Sequence, residues 1–237
     1  MRTEPTTGHG HPGRSAAAAG AEARRVARRR RVQTGWWAVV AVGLTVVALA
    51  VPAGAGRVAA AAGAVVAGGL AVVCRPRRDP DRWVRGASGE RATAVLLAGL
   101  PPSRWVVLHD RRLPGSRANV DHLVIGRRGV WVVDSKAYRA PLRAGWRGVW
   151  VGERRLDIGP VAWEASVVAD LLDVDVRPLV VVHGEGLPRR GRRCDGVRVL
   201  PAESVVRHLR RARTGVRLSF EDVDDLADEA ECVLPEA

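Results

Sequence analysis

The stretch Gly-Val-Trp-Val-Val-Asp-Ser-Lys, residues 129–136, decides the fold and contains the one lysine of the chain, Lys136. Its Val-Trp-Val-Val run is apolar at consecutive positions, which predicts a central β-strand covered on both faces. Side chains two residues apart on a strand point to the same face, so Asp134 and Lys136 are expected to project together, with Ser135 opposite. Every other residue among the 38 Lys and Arg is arginine. A lone ammonium beside a carboxylate therefore marks a candidate site.

The segments around this strand predict an α/β domain built on a mixed sheet with flanking helices. Residues 119–125 predict a strand that forms a hairpin with residues 130–136 around a turn at 126–129. The other predicted elements are a helix from a Ser88 cap to about Leu100, a strand over 105–108, a hairpin over 145–151, a helix over 161–172, strands over 179–183 and 197–200, a helix over 202–213 and a final helix after a Ser219 cap. This order places helices on the faces of the sheet.

Two further carboxylates are expected to approach the Asp134–Lys136 pair. Asp121 lies on the preceding strand of the hairpin, and Glu90 lies in the helix before the sheet. Converging carboxylates repel one another unless a cation lies between them, and their hard oxygen ligands suit Mg²⁺ or Mn²⁺. A metal there holds a phosphate oxygen and lowers the pKa of a bound water, and a nearby lysine orients that water. The pattern predicts metal-dependent hydrolysis of a phosphodiester.

Three sequence blocks of this region resemble the nuclease-related domain, NERD, a branch of the PD-(D/E)xK restriction-endonuclease-like nucleases. The blocks are Gly89-Glu90, the run Asn-Val-Asp-His-Leu-Val-Ile-Gly at 119–126, and the run Gly-Val-Trp-Val-Val-Asp-Ser-Lys-Ala-Tyr at 129–138. The resemblance covers roughly residues 83–185. It implies a restriction-endonuclease-like core of a helix, three strands, a helix and a strand.

Carried over by position, the resemblance assigns roles to four residues. Asp121 and Asp134 become metal ligands, Glu90 becomes a further acidic residue of the metal and catalytic site, and Lys136 becomes the catalytic lysine. Such domains often have a Gln in the helix after the sheet strands. This chain departs from that pattern, with Trp-Glu at 163–164.

The charge balance predicts an anionic partner. The formal net charge is +13 and the isoelectric point is about 11.4, which suits DNA, RNA or lipid headgroups. The candidate nucleic-acid contacts lie in one basic loop and are Arg189, Arg190, Arg192 and Arg193. Trp146 or Trp150 on the predicted hairpin is a candidate for stacking on a base.

Several chemistries are excluded by the residues present. Cys74, Cys194 and Cys232 are far apart and form no Cys-x-x-Cys pair, which excludes a disulfide framework or zinc site and fits a reducing compartment. No Gly-rich phosphate loop and no nucleophile elbow occurs. His122 is expected on the sheet face opposite Asp121, as a structural hydrogen-bonding group, and His183 is expected to be satisfied locally.

The N-terminal third predicts a membrane anchor. Residues 1–34 are expected to be a disordered basic tail, and the uncharged segments 35–56 and 58–74 predict a two-helix transmembrane hairpin over 35–74. Arg clusters at both outer ends predict a cell-membrane protein with cytoplasmic N- and C-termini. A secretory signal, a buried soluble hairpin and a single span with a re-entrant second segment are the alternatives.

The leading hypothesis is therefore a membrane-anchored, cytoplasm-facing nuclease that acts on DNA or RNA with Mg²⁺ or Mn²⁺. Residues 79–185 form its NERD-like domain, and residues 186–237 complete or extend that domain with a strand and helices. Two alternatives are a non-catalytic tether that holds nucleic acid at the membrane, and an envelope interaction protein without a nucleic-acid role.

Overall fold

The computed structural model describes residues 14–50, 52, 54–73, 81–212 and 217–237. These residues divide into two compact units. One is a helical unit of residues 18–83, and the other is an α/β unit that begins at Val84 and ends at Ala237.

The helical unit contains two helices, α1 (Arg14–Ala50) and α2 (Ala55–Val73). They pack through small residues, and Leu44 Cδ1 of α1 lies 3.0 Å from the position that a Cβ would take at Gly63 of α2. Contrary to the prediction of a disordered tail over 1–34, the helix begins at Arg14. Alanine and arginine are strong helix formers, which explains the helical continuation. Residues 1–13 lie outside the described part.

One segment of this unit has the length and composition of a membrane span. Val32–Ala50 has 19 residues with a mean hydropathy of 1.7, whereas the second apolar helix, Val58–Val73, is shorter. The apolar side chains of Val39, Val42 and Leu49 are exposed. A signal sequence or a core helix of a soluble protein passes the same test, so the hairpin and its orientation remain predictions.

The α/β unit is built on a six-stranded mixed sheet, in agreement with the predicted fold class. Its strands in spatial order are β1 (Trp105–Arg112), β2 (Asn119–Gly126), β3 (Gly129–Ala137), β7 (Val176–His183), β9 (Val197–Pro201) and β8 (Arg192–Cys194). A second sheet contains β4 (Leu142–Gly145), β5 (Gly148–Val151) and β6 (Arg154–Arg155). Strands β3, β7 and β9 are parallel neighbours, and the other pairs are antiparallel.

Four helices accompany the two sheets. They are α3 (Asp81–Leu97), α4 (Gly159–Leu172), α5 (Val205–Arg211, after a 3-10 turn over Ala202–Ser204) and α6 (Phe220–Val233). The first seven residues of β3 are buried, as expected of a central strand. On one face Val132 packs with residues of α4 and α6, and on the other face Val133 packs with residues of α3 and α5. Two apolar layers therefore cover the sheet.

Several predicted boundaries are confirmed and others are corrected. The β2–β3 hairpin, α4 and the Ser219 capping box of α6 occur as predicted, and the hairpin predicted over 145–151 is present as β4–β5 but begins at Leu142. Helix α3 begins at Asp81, so Ser88 lies inside it and does not cap it. Strand β1 continues to Arg112 because the C-terminal residues pair beside it, with Arg112 N–H donating to Pro235 O at 2.8 Å. Residues 186–237 belong to the same compact unit as the sheet.

Replacing Gly126 with alanine is expected to destabilise the α/β unit. Gly126 is the cross-strand partner of Trp105, and a Cβ there would lie 2.6 Å from Trp105 Cζ3. Trp105 also packs on Trp131, with ring centroids 5.7 Å apart, so its ring has little room to move. Overpacking of this kind destabilises by about 1–3 kcal/mol. Thermal unfolding of the full chain in detergent solution measures the loss.

Gly159→Ala provides the matched control for this prediction. Its added Cβ would have 3.4 Å to the nearest atom, Asp157 Oδ1, and alanine is favoured in a helix. We expect its free energy of unfolding to stay within about 0.5 kcal/mol of the parent. Equal melting temperatures for Gly126→Ala and the parent would contradict the close packing described here.

Candidate active site

The C-terminal end of β3 brings the predicted lysine and carboxylate into contact. Lys136 Nζ donates a hydrogen bond to Asp134 Oδ1, and the two groups form an ion pair. The Asp134 side chain is 12% exposed and that of Lys136 is 38% exposed, so the pair lies at the border between core and solvent. The expectation that both side chains project to one face is confirmed. Because β3 is held in parallel register with β7 as far as Ala137, the backbone beneath the pair is fixed.

Asp121 lies where strands β2 and β3 separate. The last pair of their ladder is His122 with Val133. Beyond it, the Ser135 N–H donates to Asp121 Oδ2 at 2.8 Å instead of to a β2 carbonyl. Burial raises the pKa of the Asp121 carboxyl well above its usual value, Asp134 and Glu90 add to the rise, and Lys136 opposes it. The structure thus brings Asp121 near Asp134, as the hairpin predicted.

Glu90 approaches the same region from α3. Burial, with the carboxylates of Asp110 and Asp134, raises the pKa of Glu90 to about 7 against the opposing effects of Lys136 and Arg91. Its carboxyl group therefore lies within electrostatic reach of the strand carboxylates and of the lysine. The influence of Asp110 was not foreseen from the sequence.

Asp110 is an additional buried acid of this region. It is 5% exposed and has φ 49°, a conformation that non-glycine residues adopt with strain. Asn119 Nδ2 donates to its Oδ1 at 3.3 Å, and the Ala237 N–H donates to its carbonyl at 3.0 Å. The strand predicted over 105–108 continues further in the structure, so Asp110 lies inside β1.

Glu164 of α4 faces the lysine from the other layer. It is 8% exposed, and burial together with the nearby Asp134 carboxylate raises its pKa to about 7, although Lys136 acts in the opposite direction. A sequence signal existed, because position 164 falls on the buried stripe of α4 with Val161, Ala165 and Val168. An acidic side chain on the apolar stripe of a helix more often belongs to a functional site than to the solvent-exposed surface.

Lys136 is the electrostatic centre of these acids. Burial alone would lower its pKa, but the carboxylates of Asp134 and Asp121 outweigh burial and raise the pKa above its ordinary value. The lysine is therefore a stable cation at neutral pH. It does not serve as a neutral base in this arrangement.

The carboxylates of the site are suitable ligands for a divalent cation, but they are not arranged around a common point. Carboxylate oxygens suit Mg²⁺ or Mn²⁺, and the mutual repulsion that raises the pKa values of Glu90 and Asp121 would be relieved by a divalent ion. Among the described residues, no three His, Cys, Asp or Glu side chains stand together as ready ligands. Lys136 Nζ lies against Asp134, so metal binding requires a local rearrangement of these side chains.

The predicted basic loop lies at the far edge of the sheet. Arg189 and Arg190 are exposed between β7 and β8, and Arg192 donates to the Trp146 carbonyl at 3.4 Å. Arg193 lines a cavity of about 370 Å³ with Arg177 and Arg198. The described contacts do not join these arginines to the carboxylates, which lie on β2 and β3. Their binding role remains a prediction.

The tryptophans divide between core and surface. Trp105 and Trp131 are buried, whereas Trp146 is 83% exposed at the β4–β5 turn, with the Arg147 guanidinium 4.7 Å from its ring centroid. Trp163 is 47% exposed. Of the two candidates for base stacking, Trp146 is therefore the accessible one.

The comparison with protein families agrees with the motif blocks. The family model described as nuclease-related domain, NERD, matches residues 85–183. This span, from the second turn of α3 to the end of β7, is therefore similar to the NERD family and contains Glu90, Asp121, Asp134 and Lys136. The predicted resemblance is confirmed for this span. No curated protein and no solved structure matches the chain significantly.

Replacing Glu164 with glutamine is expected to stabilise the metal-free protein at alkaline pH. Its pKa rises from 4.5 to about 7 on folding, so the folded state binds more protons than the unfolded state between these values. The free energy of unfolding therefore falls as pH rises through this window and stays reduced above it. Glutamine removes that penalty, a gain of about 1–3 kcal/mol at pH 8.5 that vanishes near pH 4.

Thermal unfolding in buffer with EDTA, at pH 4 to pH 8.5, measures the difference. Glu153→Gln, at an exposed position, is the control and should show no pH-dependent gain. A pH-independent difference between Glu164→Gln and the parent would contradict the position of this carboxyl beside Asp134.

Proposed function

We propose that this protein is a membrane-anchored nuclease whose α/β unit hydrolyses phosphodiester bonds of DNA or RNA with Mg²⁺ or Mn²⁺. The similarity to the nuclease-related domain supports a nuclease-like activity in general. The observation that carries the finer proposal is the contact between Lys136 and Asp134 beside the point where Asp121 separates β2 from β3.

In the proposed reaction, Asp121 and Asp134 hold the divalent ion and Glu90 completes the acidic site. The bound metal supplies Lewis acidity and a water of lowered pKa. The Lys136 ammonium lies against Asp134 Oδ1, so it would stand beside a metal held by that carboxylate and would face the bound phosphate. A fixed cation at this position offsets the negative charge that develops on the phosphate oxygens. Glu164, with a pKa of about 7, is placed to exchange a proton near Lys136.

The substrate is proposed to be held by arginine side chains and by Trp146. A net charge of +13 favours association with a polyanion. Arg189 and Arg190 are exposed and free to contact phosphates, and the Trp146 ring is open for stacking on an unpaired base. These contacts supply affinity and not sequence selectivity.

A non-catalytic tether is the second candidate function, and one observation favours it. Lys136 is engaged by Asp134, and the described residues contain no assembled group of three metal-ligand side chains. If this arrangement persists in the presence of divalent ions, the basic surface would bind nucleic acid without cleaving it.

The anchor is proposed to be the pair α1–α2 in a cell membrane, with both termini in the cytoplasm. Val32–Ala50 is long and apolar enough to cross, and its apolar side chains are exposed. Arginines precede the apolar segment Val32–Ala50 and follow α2 in the sequence, which favours this orientation. The nuclease-like unit would then face cytoplasmic nucleic acid.

Neutralising either member of the Lys136–Asp134 ion pair is expected to abolish cleavage. Lys136→Met and Asp134→Asn should each lower the rate of plasmid or RNA cleavage in Mg²⁺ by at least about 100-fold, since each removes a charge needed in the transition state. Asp170→Asn, on the exposed side of α4, is the control and should cleave like the parent. Cleavage is followed on gels, with and without EDTA.

The outcomes separate the candidate functions. Loss of cleavage in both variants and in EDTA supports the nuclease. Variants that cleave as fast as the parent contradict the site. A parent that binds nucleic acid in the presence of EDTA but never cleaves it indicates the tether.

Thiol labelling in intact cells is expected to show a cytoplasmic α/β unit. In a Cys74→Ser, Cys194→Ser background, a membrane-impermeant maleimide should label Gly54→Cys in the turn before α2, because that turn is proposed to lie outside. The exposed Cys232 of α6 should be labelled only after permeabilisation. Labelling of Cys232 in intact cells would reverse the proposed orientation.

A further inference from the structure

A series of hydrogen bonds between side chains crosses the sheet on the face opposite Asp134 and Lys136. We call it the histidine–hydroxyl chain, and its members in bonding order are His109, His122, Ser135, Thr93 and His183. The four donor–acceptor distances are 2.7, 3.2, 2.8 and 2.8 Å. The members come from β1, β2, β3, α3 and β7. The series therefore ties one helix to four neighbouring strands.

The bond between the two hydroxyl groups fixes the direction of the series. Ser135 Oγ donates to Thr93 Oγ1 at 2.8 Å, which leaves the proton of the Thr93 hydroxyl for His183 Nε2, 2.8 Å away. His183 Nε2 therefore accepts from Thr93. Because a neutral imidazole has one N–H, the ring proton of His183 lies on Nδ1.

The same reasoning assigns the remaining protons. Because Ser135 donates its hydroxyl proton to Thr93, it accepts the Nε2–H of His122, whose Nδ1 in turn accepts the Nδ1–H of His109. All bonds point one way and all three rings are neutral. Burial lowers the pKa values of all three histidines, which agrees with this assignment.

Two members of the histidine–hydroxyl chain lie directly beside the carboxylates. The Ser135 hydroxyl is bonded to Thr93 while its backbone N–H donates to Asp121 Oδ2. Thr93 lies three residues after Glu90 on α3, about one helical turn away. The Thr93–Ser135 bond therefore fixes α3 against β3 at the level of Glu90.

The backbone shows how closely α3 and β3 approach at this level. A Cβ on Gly89 would lie 3.1 Å from the Ala137 Cβ. Glycine at position 89 permits this approach, and the adjacent Glu90 is carried to the end of β3.

We propose that His122, Ser135, Thr93 and His183 are positioning residues that hold α3 on β3 and thereby keep Glu90 beside Asp121 and Asp134. Thr93 and Ser135 are fully or nearly fully buried, so a missing hydroxyl leaves its neighbours without partners and without water. Helix α3 is the one helix that contributes to the histidine–hydroxyl chain. When a hydroxyl is removed, a shift of α3 would let the unpaired groups find new partners. The catalytic part of this inference rests on the proposed nuclease function, and the structural part does not.

Nuclear magnetic resonance of the full chain in detergent micelles tests the structural part. Two-bond ¹H–¹⁵N correlation spectra of the parent should show the Nδ1–H tautomer for His109 and His183 and the Nε2–H tautomer for His122. The nuclear Overhauser effect between the Gly89 Hα and the Ala137 methyl group reports the position of α3. In Thr93→Val this effect should be lost and the His183 tautomer should change.

Two further variants distinguish a loss of positioning from a loss of folding. Thr93→Ser retains the hydroxyl and should retain both the tautomers and the Gly89–Ala137 effect. Ser135→Ala removes a different hydroxyl and leaves the Thr93–His183 bond in place, so it should alter the His122 tautomer and not that of His183. Thermal unfolding shows which variants fold.

Cleavage kinetics test the catalytic part. Thr93→Val and Ser135→Ala should lower kcat by about 10- to 100-fold with KM within twofold, because a small misplacement of a catalytic group affects the reaction and not substrate binding. Thr93→Ser should keep kcat within threefold of the parent. An equal effect of Thr93→Ser and Thr93→Val, or a change confined to KM, would overturn the catalytic part.

The spectra decide the proposal even if the parent does not cleave. An inactive parent contradicts the proposed function alone, and loss of the Gly89–Ala137 effect in Thr93→Val then supports positioning. Retention of that effect and of all three tautomers in both Thr93→Val and Ser135→Ala overturns the proposal, whatever the activity.

Discussion

The site depends on one hydrogen bond in which a side-chain carboxyl group, and not the backbone carbonyl of the neighbouring strand, accepts from an N–H of β3. The β2–β3 ladder ends at His122 and Val133, and the next N–H of β3, that of Ser135, is taken by the Asp121 carboxylate at 2.8 Å. A buried backbone donor must be satisfied, and here the acceptor is a side-chain carboxyl oxygen and not a backbone carbonyl. The two strands can therefore separate without leaving that donor unpaired. Strand β3 remains fixed because its parallel ladder with β7 continues to Ala137.

The electrostatics of the region follow from this separation. It gathers Asp121 and Asp134 from neighbouring strands, Glu90 from α3 and Glu164 from α4 around a single ammonium, that of Lys136. One positive charge cannot neutralise four carboxylates. The balance is restored by proton uptake, shown by the raised pKa values of Glu90 and Glu164, or by a divalent cation. Both solutions use the same acids, so protons would compete with a bound metal for this site.

The sequence predicted the features that depend on local pattern. The apolar run of β3, the two-residue alternation of Asp134 and Lys136, and the position of Asp121 across the hairpin are all properties of strands, and the structure has them. The features that could not be predicted from the sequence depend on contacts between distant segments. Asp110 stays in β1 because the C-terminal residue donates to its carbonyl. Glu164 has a role only because α4 packs over the end of β3.

The two faces of β3 carry different chemistry, and Ser135 links them. On one face its N–H holds Asp121, and on the other its hydroxyl belongs to the histidine–hydroxyl chain. A one-directional series of donors requires neutral imidazoles at His122 and His183, because a second proton on either ring would set two donors against each other. Burial keeps these two rings neutral by lowering their pKa values. The charge of the carboxylate face is then set by its acids and Lys136, while the opposite face contributes rigidity without adding charge.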